Sequence, residues 1–503
     1  MHCVTCLSGA GAIGKVVMRY SFGFLMAVAV LAFAACGDND GNCVESVDVA
    51  GEWEMTTTDV IDSCGGRVPY TFPMTITPNG NALTAELPGG TLTGTICGDQ
   101  VRLSGSFPED DGTVTVSVAL IVSADGDSMQ GSDSWSWTDG STDCSGSDSL
   151  SGTRTQEFPC TEQGIRDAVA EGGGPHTFSC NGPQIVTTEA EIEINNDVIL
   201  HGKGELTVDG DGDHRVFSVP EGVEAELRGI VVTNGTVSND VGGGILNQGT
   251  LTLIDCTVSE NTADVGADGY GDGGGVFNEG TLALTDCTVS GNSAGDDGGG
   301  IVNTGPIADP NSGVLTLTNS TVWGNIARFG GGIWNGKTTT VTNSTVSENT
   351  AADFGGGIDS GRTPTVLTVT NSTFSGNNAG VEGNAIFGGT GHTLTGSLID
   401  GDCSGPVTSN GYNIESPDDT CGFDTNKGDQ VNVSTDDLNL GPLQDNFGPT
   451  MTHALLTEPT VSAAIDQIPA ADCEVTTDQR GMPRPGERMC DVGSVELQSH
   501  ELP

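Results

Sequence analysis

One phrase returns five times along the middle of the chain. It reads Gly242-Gly243-Gly244-Ile245-Leu246-Asn247, Gly273-Gly274-Gly275-Val276-Phe277-Asn278, Gly298-Gly299-Gly300-Ile301-Val302-Asn303, Gly330-Gly331-Gly332-Ile333-Trp334-Asn335 and Gly355-Gly356-Gly357-Ile358-Asp359-Ser360, with starts 31, 25, 32 and 25 residues apart. A flexible glycine linker would not hold an apolar residue, and four times an asparagine, at a fixed distance behind each triplet. Self-similarity at a period of a few tens of residues marks a solenoid.

A second phrase lies between the triplets. Leu251-Thr252-Leu253 runs into Thr257-Val258-Ser259-Glu260-Asn261, echoed at Thr288 to Asn292, Thr321 to Asn325, Thr345 to Asn349 and Thr373 to Asn377. Leu-Thr-Leu alternates with period two and is rich in β-formers, so each repeat is a few short strands joined by Asn and Gly turns. One such coil has no core of its own. Stacked coils about 4.8 Å apart bury their inward Val, Leu and Ile in a column and pair backbone to backbone. Asparagines at one position of successive coils form a side-chain ladder along the stack. The fold class expected is all-β, with a parallel β-helix made right-handed by the usual crossover preference.

Composition agrees and excludes some functions. Glycine is 77 of 503 residues and aromatics are 5 %, which argues against a large helical core. There are 16 Lys and Arg against 68 Asp and Glu, a net charge of −52. Such a field repels phosphate backbones and anionic headgroups, so nucleic acid is ruled out as a partner. Calcium, other cations and neutral glycans are compatible with it.

Residues 1–35 read as an export signal. Lys15 and Arg19 precede an apolar run from Phe22 to Ala35, the length of a secretory core and short for a bilayer span. Met18 is a plausible true start. Beyond Cys3, Cys6 and Cys36 the chain holds an even 12 cysteines, which outside the cytoplasm reads as disulfides. Cys160 with Cys180, Cys403 with Cys421 and Cys473 with Cys490 are the pairs expected, each closing one loop. No zinc spacing occurs, and the seven His are scattered. Residues 36–43 are a linker. Residues 44–155 carry short alternating strands with turn signals at Asn79-Gly80, Gly89-Gly90, Asp110-Asp111-Gly112 and Asp125-Gly126, the spacing of an antiparallel meander closing into a small barrel.

Several resemblances attach to these residues. The junction Ala34-Ala35-Cys36 resembles the bacterial lipoprotein signal, which implies lipidation of Cys36 and a membrane anchor. Gly51-Glu52-Trp53 with Arg154 resembles the lipocalin-like arrangement, which implies Trp53 packed against Arg154 at the barrel's closed end. The repeats resemble those of bacterial right-handed parallel β-helix surface proteins, including polymorphic outer-membrane-protein repeats. Cys160 to Val169 is similar to the Cys-Ser-Leu-Arg-Glu-Ala segment opening many such helices, departing from it at Gly164 and Asp167, and implies a short capping helix over 160–171. Residues 401–497, with Gly411-Tyr412-Asn413, Gly441-Pro442-Leu443, Thr452-His453-Ala454-Leu455 and Asp478 to Pro485 closing on Cys490-Asp491-Val492-Gly493, resemble the choice-of-anchor module and complete a β-helix that spans 160–400.

Some motif matches carry no chemistry. Gly331 to Thr338 is a literal Walker A string and Gly291 to Gly295 matches a nucleophile elbow, yet both are repeat turns followed by strand sequence, so no nucleotide is expected. Asp209-Gly210-Asp211-Gly212-Asp213 is similar to a calcium loop, but His214 stands where that loop needs Gly and the twelfth position lacks Glu. It gives Asp209, Asp211 and Asp213 as candidate calcium ligands. Asp272 and Asp297 directly precede successive Gly triplets, so stacking places them on one face, near the carboxylate separation of a retaining glycosidase. Asp264, Asp268 and Asp296 could join them, and Arg328, Lys337 and Arg362 are the repeats' only bases.

These resemblances together imply a lipid-anchored protein of the bacterial cell envelope, on the outer membrane, surface-exposed or facing the periplasm. Its expected role is binding or display, adhesin-like or structural, toward glycans or surface polymers. Two rival readings are a polysaccharide hydrolase or lyase using Asp272 and Asp297, and a barrel binding a small hydrophobic ligand.

Overall fold

The computed structural model of the chain describes residues 46–63, 69–109, 112–124, 126–265, 271–306, 312–361, 365–388, 391–405, 407–486 and 489–498. The expected signal peptide, Cys36, Cys43, Cys64, Asp268 and Arg362 lie outside them.

Eight antiparallel strands come first: β1 (Gly51–Asp62), β2 (Thr71–Asn79), β3 (Ala82–Leu87), β4 (Gly90–Cys97), β5 (Gln100–Glu109), β6 (Gly112–Val122), β7 (Ser128–Thr138) and β8 (Asp143–Arg154). Each pairs with the next, and β8 pairs back onto β1, so no edge is left open. Every second residue points inward, giving a core that includes Trp53, Met55, Met74, Ile76, Leu92 and Leu120. Trp53 and Arg154 are cross-strand partners, and the guanidinium lies 5.3 Å from the indole centroid. Trp53 Nε1 donates to Val49 O (3.0 Å), and Arg154 also donates to Asp48 O, which seals this end.

A ten-residue helix, α1 (Glu162–Glu171), follows. Thr161 caps it, its hydroxyl accepting from Gly164 N at 3.1 Å, and Ile165, Ala168 and Val169 face the end of the solenoid core. Gly164, a departure from the usual opening segment, has a local cause: a Cβ there would stand 2.0 Å from Pro159 O. Arg166, paired with Glu162 of the same helix (2.7 Å), ties α1 down through the Ala190 and Glu191 carbonyls.

A parallel β-helix comes next, and after Ser416 the chain adds a four-residue helix, Thr435–Leu438, and two small antiparallel sheets, Leu440–Gln444 with Thr452–Leu455 and Ile468–Pro469 with Met489–Cys490, around a further cluster that includes Leu438, Leu455, Ile468 and Val492. Each coil runs from a three-residue strand such as Val276–Asn278, through Thr281–Thr285, round a corner into Thr288–Ser290, and on to a short fourth segment. Coil pairs with coil in parallel register, Leu251 with Leu282, Leu282 with Leu315, Val258 with Val289. Inward residues therefore form continuous columns that are fully buried, such as Leu253, Leu284, Leu317, Val341, Val369 and Leu394. Asp255, Asp286, Asn319, Asn343 and Asn371 turn each corner in the left-handed region, which Asn and Asp tolerate better than other side chains.

The glycine triplets have two separate reasons. The first Gly, as at Gly273, has φ +67°; the second, as at Gly274, has no room, since a Cβ would meet Ser293 O at 2.4 Å and Gly299 O at 2.6 Å. Asparagines then line the interior as two ladders. Asn247, Asn278, Asn303 and Asn335 form one, with Nδ2 donating to the next Oδ1 at 2.8, 2.8 and 3.3 Å. Asn261, Asn292, Asn325, Asn349 and Asn377 form the other, at 2.9–3.0 Å.

The C-terminal segment folds back along the corner strands. Gln479 donates to Ser320 O and Thr321 Oγ1 and accepts from Thr345, and Ser494 N donates to Thr373 Oγ1. Disulfides join Cys160 to Cys180, Cys403 to Cys421 and Cys473 to Cys490. Cys256 and Cys287, in consecutive coils, stand here as buried thiols.

Candidate binding surfaces

Asp272 and Asp297 are neighbours in one column. Gly242 N donates to Asp272 O, Gly273 N to Asp297 O and Gly298 N to Phe329 O, so Val241, Asp272, Asp297, Phe329 and Phe354 follow one another up the stack. Asp297 N donates to Asp272 Oδ1 at 3.1 Å, and both side chains are half-buried. Beside them, Arg328 lies 3.6 Å from Asp296 and 2.8 Å from Asp353. The acidic stripe ends where Phe329, Phe354 and Phe387 stack, with ring centroids 6.0 and 4.6 Å apart. Lys337 is elsewhere, donating to Pro306 O, and Asp264 stands exposed at a strand end.

The Asp209 run forms a turn closed by its own first carboxylate. Asp209 Oδ1 accepts from Asp211 N (2.8 Å) and Asn234 Nδ2 (2.9 Å), which commits that carboxylate to closing its own turn. Among the described residues no group of three His, Cys, Asp or Glu side chains is placed to hold a metal ion. The Walker-like string is two strands, Ile333–Asn335 and Thr338–Thr342, with no helix between them.

The outer face of the five-residue strands has a different character. Three outward columns run up it in register. The first is Thr250, Thr281, Val314, Thr338 and Val366; the second Thr252, Ala283, Thr316, Thr340, Thr368 and Thr393; the third Ile254, Thr285, Thr318, Thr342, Thr370 and Thr395. On a chain of net charge −52 these rows carry no charged side chain, the columns' charged members being Glu224, Glu226 and Arg228 in the preceding coil, and most of the rows' residues are half-exposed. Neighbouring columns lie two residues apart along a strand, about 6.7 Å, and neighbouring rows about 4.8 Å apart. Threonine is stiff at χ1 in a strand, so the hydroxyls and methyls form a fixed lattice. Sequence reasoning used Leu-Thr-Leu only as a strand signal. The period-two threonines shared by Leu315-Thr316-Leu317-Thr318 and Leu367-Thr368-Val369-Thr370 are the signal that would have found the face.

The barrel holds a cavity of about 350 Å³ whose lining includes Met55, Phe72, Met74, Leu92, Phe107 and Trp135. Asp133 stands in the same wall, and its Oδ1 accepts from Asp148 N at 3.0 Å. This is an apolar pocket with one polar side, at the small end of the range for small-molecule sites.

No family model, no curated protein and no solved structure matches the chain.

Proposed function

We propose that the chain is a lipid-anchored protein of the bacterial envelope that binds an extended, uncharged polymer, a neutral glycan first among them, along the threonine face of its β-helix. The observation that carries this reading is the uncharged, two-dimensional threonine array on an otherwise strongly acidic molecule. A repeating polymer is matched by a repeating face, because each residue of the ligand meets the same hydroxyl and methyl pattern. Protein partners are anchored by aromatic and Arg hot spots, and these columns have none. A polyanion would be repelled by the molecule as a whole.

The test is retention of purified residues 36–503 on insoluble neutral and acidic polysaccharides, with and without calcium. Salt-insensitive retention on a neutral polymer, lost in Thr340→Glu and Thr368→Glu, is the expected outcome. Failure to bind any neutral polymer overturns the reading. New reducing ends abolished by Asp272→Asn or Asp297→Asn would instead make the protein a carbohydrate-active enzyme. The anchor is tested separately, since Cys36→Ala should release the protein from the membrane fraction.

The barrel cavity favours a second, compatible activity: capture of a small apolar molecule beside Trp135. Native mass spectrometry of the full chain, with and without an apolar fluorescent probe, checks it. A probe that neither binds nor changes Trp fluorescence sinks it.

A further inference from the structure

In each coil the residue after the left-handed corner turns its side chain inward, giving the series Cys256, Cys287, Ser320, Ser344, Ser372 and Ser397. From Cys287 onward each accepts a hydrogen bond from the backbone of its predecessor: Cys256 N to Cys287 Sγ at 3.4 Å, Cys287 N to Ser320 Oγ at 3.1 Å, Ser320 N to Ser344 Oγ at 3.1 Å. Each also donates to the carbonyl two residues back, Cys287 Sγ to Thr285 O at 3.2 Å and Ser320 Oγ to Thr318 O at 2.8 Å. Serine fills this role in four successive coils. A thiol is the weaker donor and acceptor, so hydrogen bonding does not explain cysteine in two consecutive coils.

What cysteine adds is the capacity for a covalent link. The flanking pairs Ile254 with Thr285 and Thr257 with Thr288 are in register, so the two cysteines sit one coil spacing apart, about 4.8 Å. Disulfides span Cα separations of roughly 4.4–6.8 Å. The same chain closes Cys403 to Cys421 with Cα atoms 4.8 Å apart and Cys160 to Cys180 at 5.0 Å. The thiols of Cys256 and Cys287 hydrogen-bond each other and are 2 % and 1 % exposed.

We infer that Cys256 and Cys287 are the site of a further disulfide, a staple linking two consecutive coils inside the solenoid. The step is an exchange with an oxidised dithiol carrier of the envelope. The two cysteines lose their protons, a sulfur–sulfur bond forms between them, and the carrier's disulfide breaks and leaves as two thiols. Both sulfurs lie inside the column, on residues only 2 % and 1 % exposed, so a carrier cannot reach either of them once the coils have closed. The exchange therefore belongs to the stage when the second coil is laid on the first.

The inference assumes export, and the Cys160–Cys180 bond serves as the internal control for it. The full chain, exported under its own signal, is denatured in an alkylating agent without reductant, digested at acidic residues and mapped by mass spectrometry. The expected result is one species in which the Cys256 and Cys287 peptides are joined, lighter by two hydrogens than the two thiol peptides together. Alkylated Cys256 and Cys287 in a sample whose Cys160 and Cys180 are linked would overturn the proposal. Cys256→Ser combined with Cys287→Ser restores the ladder found in later coils and should fold. It should unfold faster than the wild type without reductant, and the difference should vanish with reductant; equal rates without reductant also overturn the staple.

Discussion

The interior asparagines are held at both ends, and that sets what their loss should do. Asn292 Nδ2 donates to Val258 O and Asn325 Oδ1, both at 2.9 Å, while its Oδ1 accepts from Asn261 N and Nδ2 at 3.0 Å. Asn292→Ala leaves several buried groups without partners, a cost of about 1–3 kcal/mol, which urea unfolding should register as a lower midpoint at unchanged slope. A second residue-scale prediction concerns protons. Burial, reinforced by the Glu496 carboxylate, pushes Asp491 up to about 7, and burial likewise raises Glu496. Between the unfolded value, about 3.9, and 7, the folded chain holds more protons than the unfolded one. Stability from Asp491 is thus complete below about pH 4 and falls as pH rises toward 7. Thermal scans across this range should show it, and Asp491→Asn should flatten the slope while lowering stability overall, because Asp491 accepts from both Asp466 N and Leu497 N. A stability that rises from pH 4 to 7 by an amount Asp491→Asn removes would reverse the assigned sign.

At the scale of the strand and the coil, the fold was more legible than the surface it presents. Gly-Gly-Gly-Ile-x-Asn, with its spacing, announced coils, an interior asparagine ladder and a parallel stack, because each is forced by backbone geometry that leaves one residue type at one position. The Cys and Ser ladder escaped notice, since Cys256 and Ser320 look unrelated in sequence and become equivalent only when the coils are laid in register. The acidic pair was placed correctly in one column from spacing alone. What sequence could not show at the Asp209 run is that Asn234, a coil away, donates to its carboxylate. The threonine face was missed for a different reason: β-propensity already explained those threonines, and nothing in propensity distinguishes a strand former from a ligand contact. Thr316→Glu, Thr340→Glu and Thr368→Glu separate the two roles. Each charge sits on a half-exposed position and should change stability by less than about 1 kcal/mol. Polymer retention should nevertheless fall at least tenfold for the double variant Thr340→Glu with Thr368→Glu; retention unchanged in a folded double variant places the contact elsewhere.

At the scale of the whole chain, the barrel and the β-helix have separate cores joined by charge. The barrel cluster around Trp53 and the solenoid column share no residue, whereas Arg228 reaches Glu54 of the barrel as well as its own Glu226, and Lys203 lies 3.8 Å from Glu52. The two effects of salt are therefore opposite. Screening relieves the self-repulsion of a net charge of −52 and stabilises each body, while it weakens the few cations that hold the bodies together. Calorimetry at rising salt should resolve two transitions, both shifting to higher temperature and becoming less coupled. Arg228→Ala should uncouple them already at low salt and leave the solenoid transition within about 1 kcal/mol of the wild type, since the lost pairs are partly exposed. One cooperative transition at every salt concentration would mean that the ion pairs do not set the joint. Two transitions would mean that the barrel rides on the stack as its own unit, with a core that melts independently of the solenoid column.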